Sequence, residues 1–167
     1  MIRGTPLLLA LAALVCLGAG PSQTLRVVGV HDGDTITGLD ESKTQHKIRL
    51  DAIDAPELGQ PFGQAAKKAL SEKVFGKDVV VVPKTKDRYG RTIGHVMLDG
   101  RDVNLEMLEE GMAWHYKHYD HNARLARAEE QAKSARLGLW SDASVVPPWE
   151  WRATKQLQNK TRPQPAQ

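Results

Sequence analysis

KIRLDAIDAPELGQPFGQAAKKALSEKVFGKDVVVV, residues 47–82, reads as a strand, a helix and a strand in succession. Lys47–Ile53 has the character of a half-buried strand and ends at Asp54-Ala55-Pro56, where proline removes a pairing donor. Gln64–Phe75 repeats apolar residues at Ala65, Ala66, Ala69, Leu70 and Val74, the spacing of one helix face. Val79–Val82 is a continuous β-branched run, the pattern of a buried strand. On the amino-terminal side, Leu25–Val30 and Thr35–Leu39 are short strands flanking an Asp-Gly-Asp turn. On the carboxyl-terminal side, Arg91–Leu98 follows a Tyr89-Gly90 turn as a fifth strand. Asp102 can cap a helix that runs through Glu110 and stops at Gly111, and Ala123–Arg136 makes a further helix closing at Leu137-Gly138. The order β-β-β-α-β-β-α-α is the connectivity of an OB barrel. The predicted fold is therefore a five-stranded OB barrel with three α-helices, in the α+β class.

Length and composition agree with one domain plus appendages. The chain has 167 residues, too few for a multidomain enzyme, and 41% of them are hydrophobic, too many for a wholly disordered polymer. Its single cysteine, Cys16, excludes a disulfide framework and a cysteine-based zinc site. The net charge of +3 is unevenly placed: residues 1–21 carry +1 and residues 151–167 carry +4, which leaves −2 for the body. Net charge alone thus gives no case for a polyanionic partner, and any such case must come from particular residues.

The two ends read as separate segments. Arg3 followed by LLLALAALVCL, residues 7–17, and then by small residues has the form of an export leader, with cleavage expected after Ser22. The apolar run is too short for a stable membrane span, which takes about 20 residues. The mature protein is expected to be exported, either periplasmic or secreted. From Pro147 the chain is rich in proline, glutamine and positive charge, and Thr154 onward is expected to be a disordered, solvated tail. The expected organisation is a leader over 1–22, a domain over 23–146 and a basic tail over 147–167.

Three short motifs carry the chemistry. In HDGDT, residues 31–35, Gly33 permits a tight turn and extended geometry puts Asp32 and Asp34 on one side. Paired carboxylates without cysteine or histidine partners suit hard cations such as calcium or magnesium, although Asp-Gly is also a common hairpin turn. In IRLDAIDAPE, residues 48–57, Arg49 stands on a strand that ends in a second acidic cluster, Asp54 and Glu57, and Pro56 fixes the direction in which Glu57 leaves. In DRYGR, residues 87–91, Arg88 and Arg91 flank a turn, and a second guanidinium here can share a phosphate with Arg49. Tyr89 offers a ring on which a base can stack. Each motif alone has an ordinary structural explanation.

HDGDT, IRLDAIDAPE and DRYGR in this order and spacing, followed by VNLEMLEEGMAW and EEQAKSARLGLW, resemble the staphylococcal nuclease (thermonuclease) family over about residues 24–142. The resemblance implies an OB barrel with three helices and calcium-dependent hydrolysis of phosphodiester bonds in DNA and RNA, leaving 3′-phosphates. It implies Asp34 and Asp54 as calcium ligands, with Asp32 as a supporting carboxylate. It also implies a ligand in the backbone carbonyl of Ala55, where the best-known member has threonine. Glu57 corresponds to the proposed general base, and Arg49 and Arg91 to the phosphate-clamping arginines. Arg88 and Tyr89 fall where the family contacts the neighbouring phosphate, and a later family tyrosine corresponds to Tyr116 or Tyr119. Replacing Arg49, Glu57 or Arg91 by alanine is then expected to abolish most turnover with folding preserved.

The implied partner is DNA or RNA as substrate, acting on a monomer with no protein partner. The alternative is a non-catalytic nucleic-acid-binding OB module at the cell surface, but a degenerate domain should lack at least one of Asp34, Arg49, Asp54, Glu57 and Arg91, and all five are present. His115, His118 and His121 stand three residues apart, which could make a metal face on a helix, although their polar surroundings favour a solvated loop. Trp149 and Trp151 are placed to dock the tail onto the barrel.

Overall fold

The computed structural model describes residues 20–161. The expected leader lies outside the described residues as far as residue 19, as do residues 162–167 of the tail.

Five strands close a barrel. They are β1 (Gln23–Val30), β2 (Thr35–Leu39), β3 (Gln45–Leu50), β5 (Asp78–Lys86) and β6 (Thr92–Leu98), with the two-residue β4 (Ile53–Asp54) following β3. Neighbours pair in the order β3-β2-β1-β5-β6, all antiparallel, and a parallel β3–β6 pairing closes the ring. The short β7 (Arg101–Asp102) extends β6, and β8 (Trp114–His115) pairs with β4. The OB barrel expected from the strand order is the fold observed.

Alternation along each strand fills the interior, since successive side chains face opposite sides. Leu25, Val27, Ile36, Ile48, Leu50, Val79, Val81, Val96 and Leu98 are all buried. Burying a side chain of this size contributes about 1.5–3 kcal/mol. Helix α1 (Gly63–Val74) turns Ala66, Leu70 and Val74 inward at four-residue spacing. Helix α2 (Val103–Glu109) begins at Asp102, whose carboxylate accepts the backbone N–H groups of Asn104 and Leu105, the capping role expected of it. Helix α3 (Ala123–Ser134) buries Leu125, Ala128 and Ala132. Among the described residues no helix is long and apolar enough to cross a membrane.

The helix count differs from expectation. A fourth helix, α4, spans Pro148–Thr161, where disorder was expected from Thr154 onward. Two physical reasons account for it. Pro148 sits in the first turn, where a missing N–H costs nothing, so the proline starts the helix rather than breaking it. Residues 152–158 (RATKQLQ) are mostly straight-chain side chains that lose little rotamer freedom in a helix. Polar composition was the wrong guide here.

One titratable pair gives the fold a pH dependence. His95 Nδ1 lies 3.0 Å from Asp102 Oδ2 at the start of α2. That hydrogen bond holds the His95 pKa above its usual value, with burial opposing it and the Asp102 and Asp51 charges assisting. A raised histidine stabilises fully below its unfolded pKa of about 6.5 and loses the contribution as pH rises through the folded value. The thermal midpoint of the wild type should therefore fall more steeply above pH 6.5 than that of His95→Gln. Parallel melting profiles for the two would contradict the assignment.

Candidate active site

Strand register assembles the site at one end of the barrel. Thr35 on β2 pairs with Arg49 on β3, which sets Asp34 beside the arginine. Arg49 in turn pairs with Ile93 on β6, two residues beyond Arg91. Asp54 pairs with Trp114, and the Tyr116 N–H donates to the Ala52 carbonyl at 2.8 Å, so the segment after β8 closes the other side. The result is a cleft of about 780 Å³. Every site residue expected from the sequence lines it except Asp54, which is wholly buried beneath.

Arg49 is the hub. Its Nη1 donates to Asp34 Oδ1 and its Nη2 to Asp54 Oδ1, each at 2.8 Å. One guanidinium thus bridges the two carboxylates, the fork geometry that a lysine cannot supply. Asp34 is itself held in place: its Oδ1 accepts the Thr35 hydroxyl at 2.9 Å and its Oδ2 the Ala55 N–H at 3.0 Å. Burial pushes the Asp34 pKa up to about 7; Arg49 opposes the rise, and the negative charges of Asp32 and Asp54 reinforce it. Burial works against the Arg49 charge as well, but Asp34 and Asp54 outweigh it and raise its pKa.

Asp32 supports the turn rather than the cleft floor. Its Oδ1 accepts the Asp34 N–H at 3.0 Å, which fixes the backbone that carries Asp34. Gly33 serves a purpose other than the tight turn expected of it. A Cβ there would lie 2.6 Å from the Ala55 Cβ and 2.7 Å from the Ala66 Cβ, so only glycine lets the turn close against the Asp54 loop and α1. Gly33→Ala should destabilise the protein by about 1–3 kcal/mol, as overpacking does, and displace Ala55. A urea midpoint equal to wild type would contradict this reading.

Glu57 leaves the floor on a clamped loop. Its N–H donates to Gln60 Oε1 at 3.2 Å, and the Gln60 N–H returns to the Glu57 carbonyl at 2.8 Å. The Glu57 carboxylate remains 40% exposed to the cleft, enough to meet a water molecule. Arg91 and Tyr89 stand across the opening. Arg91 Nε donates to Asp87 Oδ2 at 2.7 Å, and the guanidinium of Arg88 lies 4.8 Å from the Tyr89 ring centre. Arg91 thus shares the cleft with Arg49 but is paired within its own hairpin. Lys84 reaches the same cleft and pairs with Asp51 at 2.8 Å.

Both later tyrosines reach the cleft. Tyr116 and Tyr119 meet edge to face, with ring centres 4.8 Å apart. The three histidines do not form a helical face: β8 ends at His115, which is buried and bonded to Asp120 at 3.0 Å, and His118 meets Tyr119 edge to face.

Sequence reasoning missed Arg152 and Gln60. Arg152, on α4, donates to Asp54 Oδ2 at 2.7 Å, Asp54 Oδ1 at 3.2 Å and Glu57 Oε1 at 2.8 Å. These hydrogen bonds raise its pKa against the opposing effect of burial. Two flanking tryptophans and a proline start were the available signal that this stretch docks. Nothing in the local sequence singles out Gln60.

The donor set suits a hard divalent cation. Among the described residues no three His, Cys, Asp or Glu side chains converge on one metal position. Asp34 and Asp54 bring two carboxylates together on Arg49, oxygen donors of the kind such cations take along with water or phosphate. The two buried acids also draw two guanidiniums onto themselves, as an excess of buried negative charge requires.

Comparison with known proteins agrees with this architecture. Residues 47–142 match the family described as staphylococcal nuclease homologue. A Haemophilus influenzae protein named "uncharacterized endonuclease" is 44% identical over 134 residues, 80% of this chain and 75% of its own. The micrococcal nuclease of Shigella flexneri is 41% identical over 145 residues, 80% of this chain and 83% of its own. The "probable staphylococcal-like nuclease CAN1" of Oryza sativa subsp. japonica is 47% identical over 111 residues, 66% of this chain but only 34% of that longer protein. The family match takes in more than half of the chain, with Arg49, Asp54, Glu57 and Arg91 inside it, and the chain belongs to the staphylococcal nuclease homologue family.

Proposed function

We propose that the protein is a nuclease that hydrolyses phosphodiester bonds of DNA or RNA with a divalent cation, calcium, as its cofactor. Internal cleavage leaving 3′-phosphates is the expected mode. The observation that carries the reading is the bridging of Asp34 and Asp54 by Arg49 beside a half-exposed Glu57. The relatives named as nucleases support it.

Asp34, Asp54 and the Ala55 carbonyl would hold the cation, and Asp32 orders the turn that presents Asp34. When bound, the cation supplies positive charge to a nonbridging phosphate oxygen. Attack by water in line with the leaving oxygen builds negative charge on the nonbridging oxygens. Arg49 and Arg91 would offer those oxygens the N–H groups that Asp34, Asp54 and Asp87 leave unused. Glu57 takes the proton of the attacking water as the oxygen–phosphorus bond forms. The bond to the 5′ oxygen breaks as the new bond forms, and that oxygen takes a proton from solvent water. Tyr89, Tyr116 and Tyr119 offer ring faces to flanking bases, and Arg88 a charge to the neighbouring phosphate.

The test is incubation of the purified protein with single- and double-stranded DNA and with RNA, in calcium and then in chelator. Cleavage in calcium that stops on chelation is expected. Binding without cleavage in either condition would sink the proposal and leave a non-catalytic binding module.

A further inference from the structure

The guanidinium of Arg152 lies where a positive charge on the catalytic acids is wanted, although it comes from far along the chain. Its three hydrogen bonds, at 2.7, 2.8 and 3.2 Å, engage both oxygens of Asp54 and one of Glu57. Arg49 already holds Asp54 Oδ1, so each oxygen of that carboxylate faces a guanidinium. A divalent ion on Asp54 would be a third positive group on that carboxylate, and like charges in a half-buried site repel strongly. Either the ion stays away or Arg152 moves.

The rest of the first turn of α4 points the same way. Trp149 stacks flat on Tyr116, with ring centres 5.4 Å apart and planes 3° from parallel. It therefore covers a ring face otherwise open to a base. Trp151 borders a small pocket with Trp114, Gln60 and Pro61, and the Gln60 amide donates to the Val146 carbonyl just before the helix. Gln60 also clamps Glu57, so the loop of the general base and the base of α4 are mechanically joined. The buried and half-buried side chains of α4 lie at its start, in Pro148, Trp149, Trp151 and Arg152, while residues 153–159 are exposed. A helix buried mainly at one end can open locally without unfolding the barrel.

We infer that α4 is a strap in competition with the divalent cation, with Arg152 standing on Asp54 and Glu57 until the cation displaces it. The inference rests on the cation site proposed above. Cation entry releases the strap and with it the Tyr116 ring face, so the site opens to nucleic acid when it is charged.

Calcium titration of the full chain by calorimetry, without nucleic acid, tests this on wild type, Arg152→Gln, Trp149→Ala and Asp54→Asn, with circular dichroism confirming the fold of each. Apparent affinity is reduced by the fraction of molecules that are competent, so a strap docked about nine-tenths of the time weakens binding about tenfold. Arg152→Gln should bind calcium about tenfold more tightly than wild type, and Trp149→Ala should shift in the same direction. Hydrogen exchange in the wild type should accelerate over residues 148–161 when calcium is added. Calcium binding lost in Asp54→Asn but unchanged or weakened in both Arg152→Gln and Trp149→Ala overturns the strap alone. Absence of calcium binding in wild type and all variants overturns the strap and the cation site together.

Discussion

Glu57→Gln is expected to lower the rate of phosphodiester cleavage by about 10³-fold, near the middle of the range for loss of a general base. Glutamine keeps the shape of the side chain and removes its capacity to take a proton. Single-turnover cleavage of a labelled oligonucleotide in calcium reads this directly. The structural cost is small, because Glu57 makes one half-exposed ion pair, with Arg152, at 2.8 Å. Exposed pairs contribute roughly 0–1 kcal/mol, so the melting temperature should barely move. A variant that retains most of its rate would remove Glu57 from the mechanism. Large loss of both rate and stability would make it a structural residue instead.

Arg49→Ala fails in both respects. In the proposed mechanism it removes a guanidinium from the phosphate, an expected loss of about 10²–10³-fold in rate by comparison with oxyanion donors. It also breaks the bridge between two buried carboxylates, and stranding one partner of a buried ion pair costs about 3–5 kcal/mol. The lower end is expected. Burial already pushes the Asp34 pKa up to about 7, so without Arg49 this acid takes a proton and sheds part of the unpaired charge. Arg91→Ala should match the loss of rate but melt closer to wild type than Arg49→Ala, because Asp87 keeps the Tyr89 and residue-91 backbone N–H groups as partners when the guanidinium goes. The sequence alone suggested that both variants would fold normally; the buried bridge separates them. Equal melting temperatures for wild type and Arg49→Ala, by calorimetry in chelator, would contradict the hub role.

What could be read from the sequence followed from local periodicity. Gln64–Phe75 announces its helix by a 3.6-residue repeat, and Val79–Val82 its strand by β-branched content, although Val80 and Val82 face solvent rather than the core expected for the whole run. The three motifs could be recognised for the same reason, since each is a contiguous run. Their convergence could not. The Asp34–Arg49 contact depends on Thr35 pairing with Arg49, and the approach of Arg91 depends on the parallel β3–β6 register. Neither is written in any one segment. Gly33 looked like a turn glycine, but its role is close packing against Ala55 and Ala66, which belong to two other elements.

The carboxyl-terminal stretch was harder for a different reason. Its helix has little apolar face to show periodicity, and its docking rests on two indole rings and one guanidinium. Arg152 was counted with the charges of a solvated tail, although it has the most intimate long-range contact in the cleft. A cation that completes a buried acidic pair cannot be told from a surface cation by residue type.

The central claim is that Asp34 and Asp54 hold one divalent ion against a phosphate that Arg49 and Arg91 share. A crystal structure of the full chain with calcium and a non-hydrolysable phosphorothioate oligonucleotide tests it most directly. A single ion is expected about 2.3–2.6 Å from oxygens of both aspartates, with phosphate on the ion and Arg152 withdrawn from Asp54. An oligonucleotide bound elsewhere, with the ion absent from these two carboxylates and Arg152 still bridging Asp54 to Glu57, would contradict it.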